Sequence, residues 1–276
     1  MQKTILITGA STGIGFYVAH ELKKAGYRVI ASCRSIADVA RLQQEGLECV
    51  QLDLANSTSI QIGFAQAMEL TGNELYGLFN NGAYGQPGAI EDLPINALRQ
   101  QFNTNFFGWC ELTNLALPIL LKQGYGRIIQ NSSVLGIAAM PLRGAYNASK
   151  YAIEGISDTL RLELEGTGIY VSLIEPGPIE SQFRKNALTA LRDHIDIEKS
   201  RHLATYRNAI ARLEKTETTT PFTLGPDAVY QRVIHALESK QPQARYYVTF
   251  PTYLVGFMKR ILPTCWLDKL LRKLGS

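Results

Sequence analysis

Short runs of β-branched and aliphatic residues recur along the chain, at Thr4 to Thr8, Arg28 to Ser32, Glu48 to Gln51, Tyr76 to Asn80, Arg127 to Gln130 and Tyr170 to Ile174. Between them lie longer stretches in which apolar residues return at helical spacing, as Val18, Ala19 and Leu22 do. Strand and helix in alternation predict a parallel sheet, because parallel neighbours cannot be joined by a tight hairpin and need crossover helices that cover both faces. The expected fold class is α/β, a single-domain Rossmann-type doubly wound parallel sheet with helices on both faces. Gly26, Gly124 and Gly168 stand where a helix should stop before the next strand, a place that favours a left-handed residue. Residues 181–222 are more polar and show no strand pattern, which predicts a helical insertion or lid. Arg245 to Phe250 offers one last strand.

Composition narrows the class. The 276 residues, 46% hydrophobic and 19% charged, suit one large globular domain. A net charge of +4, from 28 basic and 24 acidic residues with no long basic block before residue 255, argues against nucleic acid as a partner. Cys33, Cys49, Cys110 and Cys265 have neither metal-site pairing nor the density of a secreted disulfide scaffold, so reduced thiols and a cytoplasmic location are expected. The first strand pattern begins at Thr4, so no signal peptide is expected, and no apolar stretch is long enough to span a membrane. His20, His194, His202 and His235 lack ligand spacing, and no metal site is expected.

The candidate chemistry begins directly after the first strand. Thr8-Gly9-Ala10-Ser11-Thr12-Gly13-Ile14-Gly15 is a glycine-rich turn from strand to helix, where backbone N–H groups and the helix N-terminus favour a pyrophosphate. Its spacing, G-x-x-x-G-x-G, departs from the generic G-x-G-x-x-G dinucleotide fingerprint. The second strand runs into Cys33-Arg34 where an NAD enzyme would carry an acidic residue for the ribose 2′-hydroxyl. An arginine there can pair with a 2′-phosphate, which predicts NADP(H) in preference to NAD(H). Lys3 and Arg28 flank this region as weaker candidates. Asp53, followed by Leu54, can accept from an adenine amino group or cap the helix opening near Ser57.

Tyr146 and Lys150 are four residues apart in Tyr-Asn-Ala-Ser-Lys, on one face of a helix. A free tyrosine titrates near ~10, too high for a base at neutral pH, and a cation one turn away stabilises the phenolate. Ser132 and Ser133 end the fifth strand pattern, and Asn80-Asn81-Gly82-Ala83 ends the fourth, at the carboxyl edge where open sheets bind ligands. Asn105 falls in the long helical stretch between them.

With these motifs the chain resembles the short-chain dehydrogenase/reductase family from residue 3 to about 180. The resemblance implies a cofactor site at Gly9, Ser11, Thr12, Gly13, Ile14, Gly15, Arg34, Asp53, Leu54, Asn80 and Gly82. It extends to Tyr146, Lys150 and the Pro176-Gly177-Pro178-Ile179 loop, which in the family folds over the nicotinamide. It also implies a catalytic set in which Tyr146 is general acid/base, Ser133 polarises the carbonyl, Lys150 lowers the tyrosine pKa and holds the ribose, and Asn105 orders a water. Ser133 is preferred to Ser132 because it lies thirteen residues before the tyrosine, as in the family. The family usually reads Asn-Asn-Ala-Gly where this chain has Gly82 before Ala83. Within the family the chain looks similar to bacterial relatives of the retinol and 17β-hydroxysteroid dehydrogenases and to NADP-dependent aldehyde reductases, and its helical stretches around Leu98 to Leu121 and Tyr146 to Leu164 resemble those that pair subunits in the family, which implies a homodimer or homotetramer.

Tyr84, Leu135, Ile137, Met140, Leu142 and the segment after Ile179 are expected to give an apolar pocket suited to a lipophilic aldehyde or ketone. These features divide the chain into a dinucleotide-binding catalytic domain over residues 1–250 and an amphipathic tail over 251–276, broken at Pro263. The tail's Trp266 and leucines beside Lys259, Arg260, Lys269, Arg272 and Lys273 permit weak membrane-surface contact or packing on protein. Two rival readings are a non-catalytic NADP-binding redox sensor and a membrane-surface-associated protein.

Overall fold

The computed structural model describes residues 2–214 and 221–275. In chain order its elements are β1 (Thr4–Thr8), α1 (Gly13–Lys24), β2 (Arg28–Cys33), α2 (Ile36–Gln44), β3 (Glu48–Gln51), α3 (Ser57–Thr71) and β4 (Gly77–Asn80). Then come α4 (Ile95–Phe102), α5 (Gly108–Gln123), β5 (Gly126–Asn131), α6 (Gly144–Glu163), β6 (Ile169–Glu175) and α7 (Phe183–His194). The chain closes with α8 (Leu203–Glu214), α9 (Asp227–Glu238), β7 (Arg245–Tyr247), α10 (Phe250–Ile261) and α11 (Thr264–Gly275).

All seven strands pair in parallel in the order β3-β2-β1-β4-β5-β6-β7. Alternation within a strand divides the core between two faces. Ile5 and Ile7 pack with Val18, Leu22, Val233 and Leu237 of α1 and α9, whereas Leu6 packs with Phe64, Trp109 and Leu112 of α3 and α5. Strand order reverses between β1 and β4, so the connections leaving their carboxyl ends run to opposite faces of the sheet and open a crevice, the usual ligand position of such sheets.

Gly26, Gly124 and Gly168 have φ of 91°, 76° and 80°, the left-handed geometry expected of them. The last strand is shorter than expected. It stops at Tyr247, because Thr249 is the extended residue before α10 and Pro251, which lacks an N–H, fits the first helical turn. The long helical stretch around Asn105 is also not continuous, since a π-helical turn over Asn103–Phe107 separates α4 from α5. The described part of the polar segment folds as α7 and α8, joined by a short 3-10 turn at Ile197–Lys199, and residues 215–220 of that segment lie outside the described residues.

The tail forms two helices, α10 and α11, that meet at Pro263. Val255 and Leu271 are buried against Val134, Leu135 and Ala138, while Phe257, Ile261 and Trp266 stay exposed. Among the described residues no helix is long and apolar enough to cross a membrane. Cys33 and Cys49 lie buried on adjacent strands with sulfurs 3.9 Å apart, as free thiols.

Candidate active site

The glycine turn closes against the end of β4. Gly9 has φ +65°, and a Cβ there would lie 2.5 Å from the Cα of Gly82. A Cβ on Gly82 would in turn meet Leu54 Cδ1 at 2.8 Å. The Gly82-Ala83 order therefore keeps the tight backbone apposition, and the Gly82 carbonyl accepts from the indole N–H of Trp109 at 2.8 Å. At the start of α1, Thr12 makes no side-chain cap and the first turn holds no acidic residue, which leaves N–H groups and the positive helix end for an anion.

A cleft of about 770 Å³ runs from this turn along the carboxyl edge of the sheet. Gly9, Ser11, Thr12, Gly13 and Ile14 line one end with Arg34, Asp53, Leu54 and Gly82, and Ser133, Tyr146, Lys150, Pro176, Gly177 and Ile179 line the middle. Arg34 is exposed. The Asp53 carboxylate accepts from the amide of Ala55, and Asn56, not Asp53, caps α3 by accepting from Ser59. A dinucleotide fits this set of donors: a helix N-terminus for the pyrophosphate, and a guanidinium and a carboxylate at one end.

Three expected site residues are not in the lining. Asn80 is fully buried and donates to Thr113, because its side chain points into the core, and Asn81 takes the place at the cleft. Gly15 backs onto Gly9, where a Cβ would lie 2.4 Å from its carbonyl oxygen. The Asn105 side chain is engaged with the backbone of Tyr84, accepting at 3.1 Å and donating at 2.8 Å. Ile137 and Leu142 are likewise absent from the wall, Leu142 packing instead beside Leu191 and Tyr206, whereas Tyr84, Leu135 and Met140 line it.

Lys150 is almost wholly buried and donates to the Asn131 carbonyl at 2.7 Å, with its ammonium 4.2 Å from the centre of the Trp109 ring. The Asn131 side chain donates to Asn81, which donates to Thr8 and Gly9, so one hydrogen-bonded chain joins β1, β4, β5 and α6 behind the cleft. Burial pushes the Lys150 ammonium down to about 7, against the pull of Glu154. Burial also pushes the Tyr146 phenol up to about 12, and the groups that lower it are the Ser133 hydroxyl and the Arg143 cation. The expected lowering by Lys150 is not found, since burial dominates both groups.

The two serines part ways. Ser133 lies beside Tyr146, whereas Ser132 faces the buried carboxylate of Glu154. Behind them Arg245 reaches Glu154 at 3.2 Å, Asp158 at 2.6 Å and Glu175 at 3.2 Å.

Asn131 and Trp109 carry no signal for the site in the sequence motifs, although Asn131 directly precedes the serines at a strand end, whereas Phe183 falls in the segment after Ile179 expected at the pocket. Phe183 stacks edge-on against Tyr146 with ring centres 5.2 Å apart. Arg143, Arg184 and Arg212 also line the cleft. The histidines serve elsewhere, His194 meeting Gln86 and His235 meeting Tyr246. Among the described residues no cluster of His, Cys, Asp or Glu is arranged to hold a metal.

Residues 3–191 match the family model for short chain dehydrogenase. The chain belongs to the short-chain dehydrogenase family. This short-chain dehydrogenase is 43% identical over 272 residues to the uncharacterized oxidoreductase YbbO of Escherichia coli strain K12, covering 99% of this chain and 95% of that protein. It is 32% identical over 284 residues to 17-beta-hydroxysteroid dehydrogenase type 6 of Rattus norvegicus, covering 98% of this chain and 88% of the other. A solved short chain dehydrogenase/reductase from Burkholderia phymatum, in complex with NAD, matches with a TM-score of 0.77 at 25% identity, over 98% of this chain and 95% of that one. Membership makes this short-chain dehydrogenase an oxidoreductase with a Rossmann-type fold.

Proposed function

We propose that the protein is an NADP(H)-dependent carbonyl reductase that interconverts a lipophilic aldehyde or ketone and its alcohol. The observation that carries this reading is the convergence of Tyr146, Ser133 and Lys150 in one cleft, between a glycine turn suited to a pyrophosphate and an apolar wall. When bound, a reduced nicotinamide supplies hydride to the carbonyl carbon. Tyr146 gives its proton to the carbonyl oxygen, and a phenol raised to about 12 holds that proton at neutral pH. Ser133, beside Tyr146, donates to the same oxygen and polarises the carbonyl. Lys150, fixed on the Asn131 carbonyl, orients the ribose. Asn105, held in the π turn, is assigned the ordering of a relay water.

Arg34 supports the preference for NADP(H): it lines the cleft, and among the described residues its side chain has no carboxylate partner. The Pro176 to Ile179 segment supports a role over the nicotinamide: it lines the cleft and is tied down, the Pro176 carbonyl accepting from Val134 and the Pro178 carbonyl from Leu224. We assign residues 1–250 to the catalytic domain and 251–276 to a tail whose α10 adds Leu254 and Val255 to the cleft wall. The exposed Phe107, Leu121, Tyr151 and Ile156 of the α5 and α6 region support a homodimer or homotetramer, and the four free cysteines suit a cytoplasmic enzyme.

The test is NADPH consumption, with NADH alongside, over aliphatic aldehydes, retinal and steroid ketones, for wild type and Tyr146→Phe. Turnover by wild type with a loss of ~100-fold or more in the variant supports the reading, because general acid catalysis commonly contributes that much. NADPH binding with neither consumption of any carbonyl nor oxidation of any alcohol with NADP defeats it.

A further inference from the structure

One end of the cleft holds more positive charge than the cofactor reading uses. Arg143, the residue before α6, and Arg212, near the end of α8, both line it together with Arg184. Among the described residues, neither Arg143 nor Arg212 makes a side-chain hydrogen bond or ion pair. Arg245, Arg28 and Arg127, by contrast, are neutralised or saturated: Arg245 meets three carboxylates, Arg28 is paired with Glu48, and Arg127 donates to the carbonyls of Ala236, Gly126 and Ser239. Within the cleft, Arg143 and Arg212 thus stand as unpartnered guanidiniums beyond the Arg34 that the cofactor reading uses.

The remaining lining sharpens that contrast. Among the described residues that line the cleft, the carboxylates are Asp38 and Asp53, which share the Arg34 end. No acidic residue occupies the first turn of α6, so its positive helix end adds to the potential beside Arg143. Around the arginines the wall is apolar, with Leu135, Met140, Phe183, Phe222, Leu254 and Val255. Burial first, then repulsion by Arg212 and Arg184, lowers Arg143 to about 10, against the pull of the Tyr146 phenol. Arg212 is lowered in the same way by burial and by Arg184. Cations held together away from water are destabilised until an anion joins them.

We infer that the substrate is an apolar carbonyl compound carrying a carboxylate, which Arg143 and Arg212 bind while the hydrocarbon lies on the apolar wall. This rests on the reductase reading above and adds the recognition element that distinguishes one lipophilic carbonyl from another. Guanidinium suits the task because its planar donors match a carboxylate and it stays charged when sheltered.

The experiment compares straight-chain aldehydes ending in a carboxylate, from succinate semialdehyde to azelate semialdehyde, each beside its methyl ester. Wild type, Arg143→Gln and Arg212→Gln are assayed for kcat/KM with NADPH, with melting temperature and NADPH affinity measured for each protein. Wild type should favour the acid over the ester about tenfold or more at one or more chain lengths, as a charge-assisted contact gives. Each substitution should collapse that ratio. Azelate and its dimethyl ester are also titrated against the NADP-saturated protein, so that binding is read without turnover. Arginine-dependent preference for azelate with no turnover of any aldehyde would leave the anion site standing and sink the reductase reading alone. The inference is overturned if wild type takes the ester as well as the acid and binds both ligands equally. It is overturned too if the substitutions weaken NADPH binding but leave the acid-to-ester ratio intact, since the guanidiniums would then serve the cofactor.

Discussion

The Lys150 ammonium donates to the main-chain carbonyl of Asn131 at 2.7 Å, which anchors α6 to the end of β5. The anchor fixes where Tyr146, one turn earlier on the same helix, presents its phenol. It also holds a cation where water is scarce, and that has a consequence for stability.

Lys150→Met should show this as a pH-dependent difference from wild type. Burial lowers the folded-state lysine to about 7, from an ordinary value of 10.5. Between those two values the unfolded chain binds a proton that the native chain does not, so wild-type stability rises with pH across that window. The methionine variant lacks this slope. Relative to wild type it should gain a few kcal/mol at pH 6 that vanish above pH 10.5, at ~1.4 kcal/mol per unit of displacement. Urea denaturation at several pH values measures it, and a flat difference would show that the ammonium is not penalised.

Glu175 should give a slope of the opposite sign. Burial first, then repulsion by Glu154 and Asp158, raises its carboxyl from 4.5 to about 8 against the attraction of Arg245. Between those values the native state holds a proton that the unfolded chain has released, so stability falls as pH rises through the window. Glu175→Gln removes that decline and should melt higher than wild type at pH 8.5, with little difference at pH 4.5. Calorimetric melting curves at the two pH values decide it.

Arg34→Ala should lower the preference for NADPH over NADH by about 10- to 100-fold, since hydrogen bonds to charged groups are worth ~1.5–3 kcal/mol. Cofactor affinities by fluorescence titration measure the ratio. An unchanged ratio would mean that Arg34 does not meet the 2′-phosphate.

Gly9→Ala and Gly72→Ala separate backbone strain from close approach. Both glycines are left-handed, at φ +65° and +67°, but a Cβ at Gly72 meets nothing within 4 Å whereas one at Gly9 would lie 2.5 Å from Gly82 Cα. The Gly72 variant should lose only the left-handed penalty of ~1–2 kcal/mol. The Gly9 variant should lose more and also lose cofactor binding, measurable by denaturation and by NADPH titration.

The alternation of strand and helix was legible in the chain because the hydrophobic period is local, and each strand pattern matched its element to within a few residues. The glycine turn and the Tyr146 to Lys150 spacing were legible for the same reason, since each motif lies within a single turn or helix. What only the tertiary structure decided was orientation. Asn80 and Asn81 are adjacent in a strand, so one faces the core and the other the cleft, and the pattern Asn-Asn does not say which. Ser132 and Ser133 present the same choice, settled by Glu154 on one side and Tyr146 on the other. Arg143 and Arg212 are distant in sequence and become a pair only because α8 and the start of α6 both border the cleft, and long-range proximity of that kind leaves no local period to read.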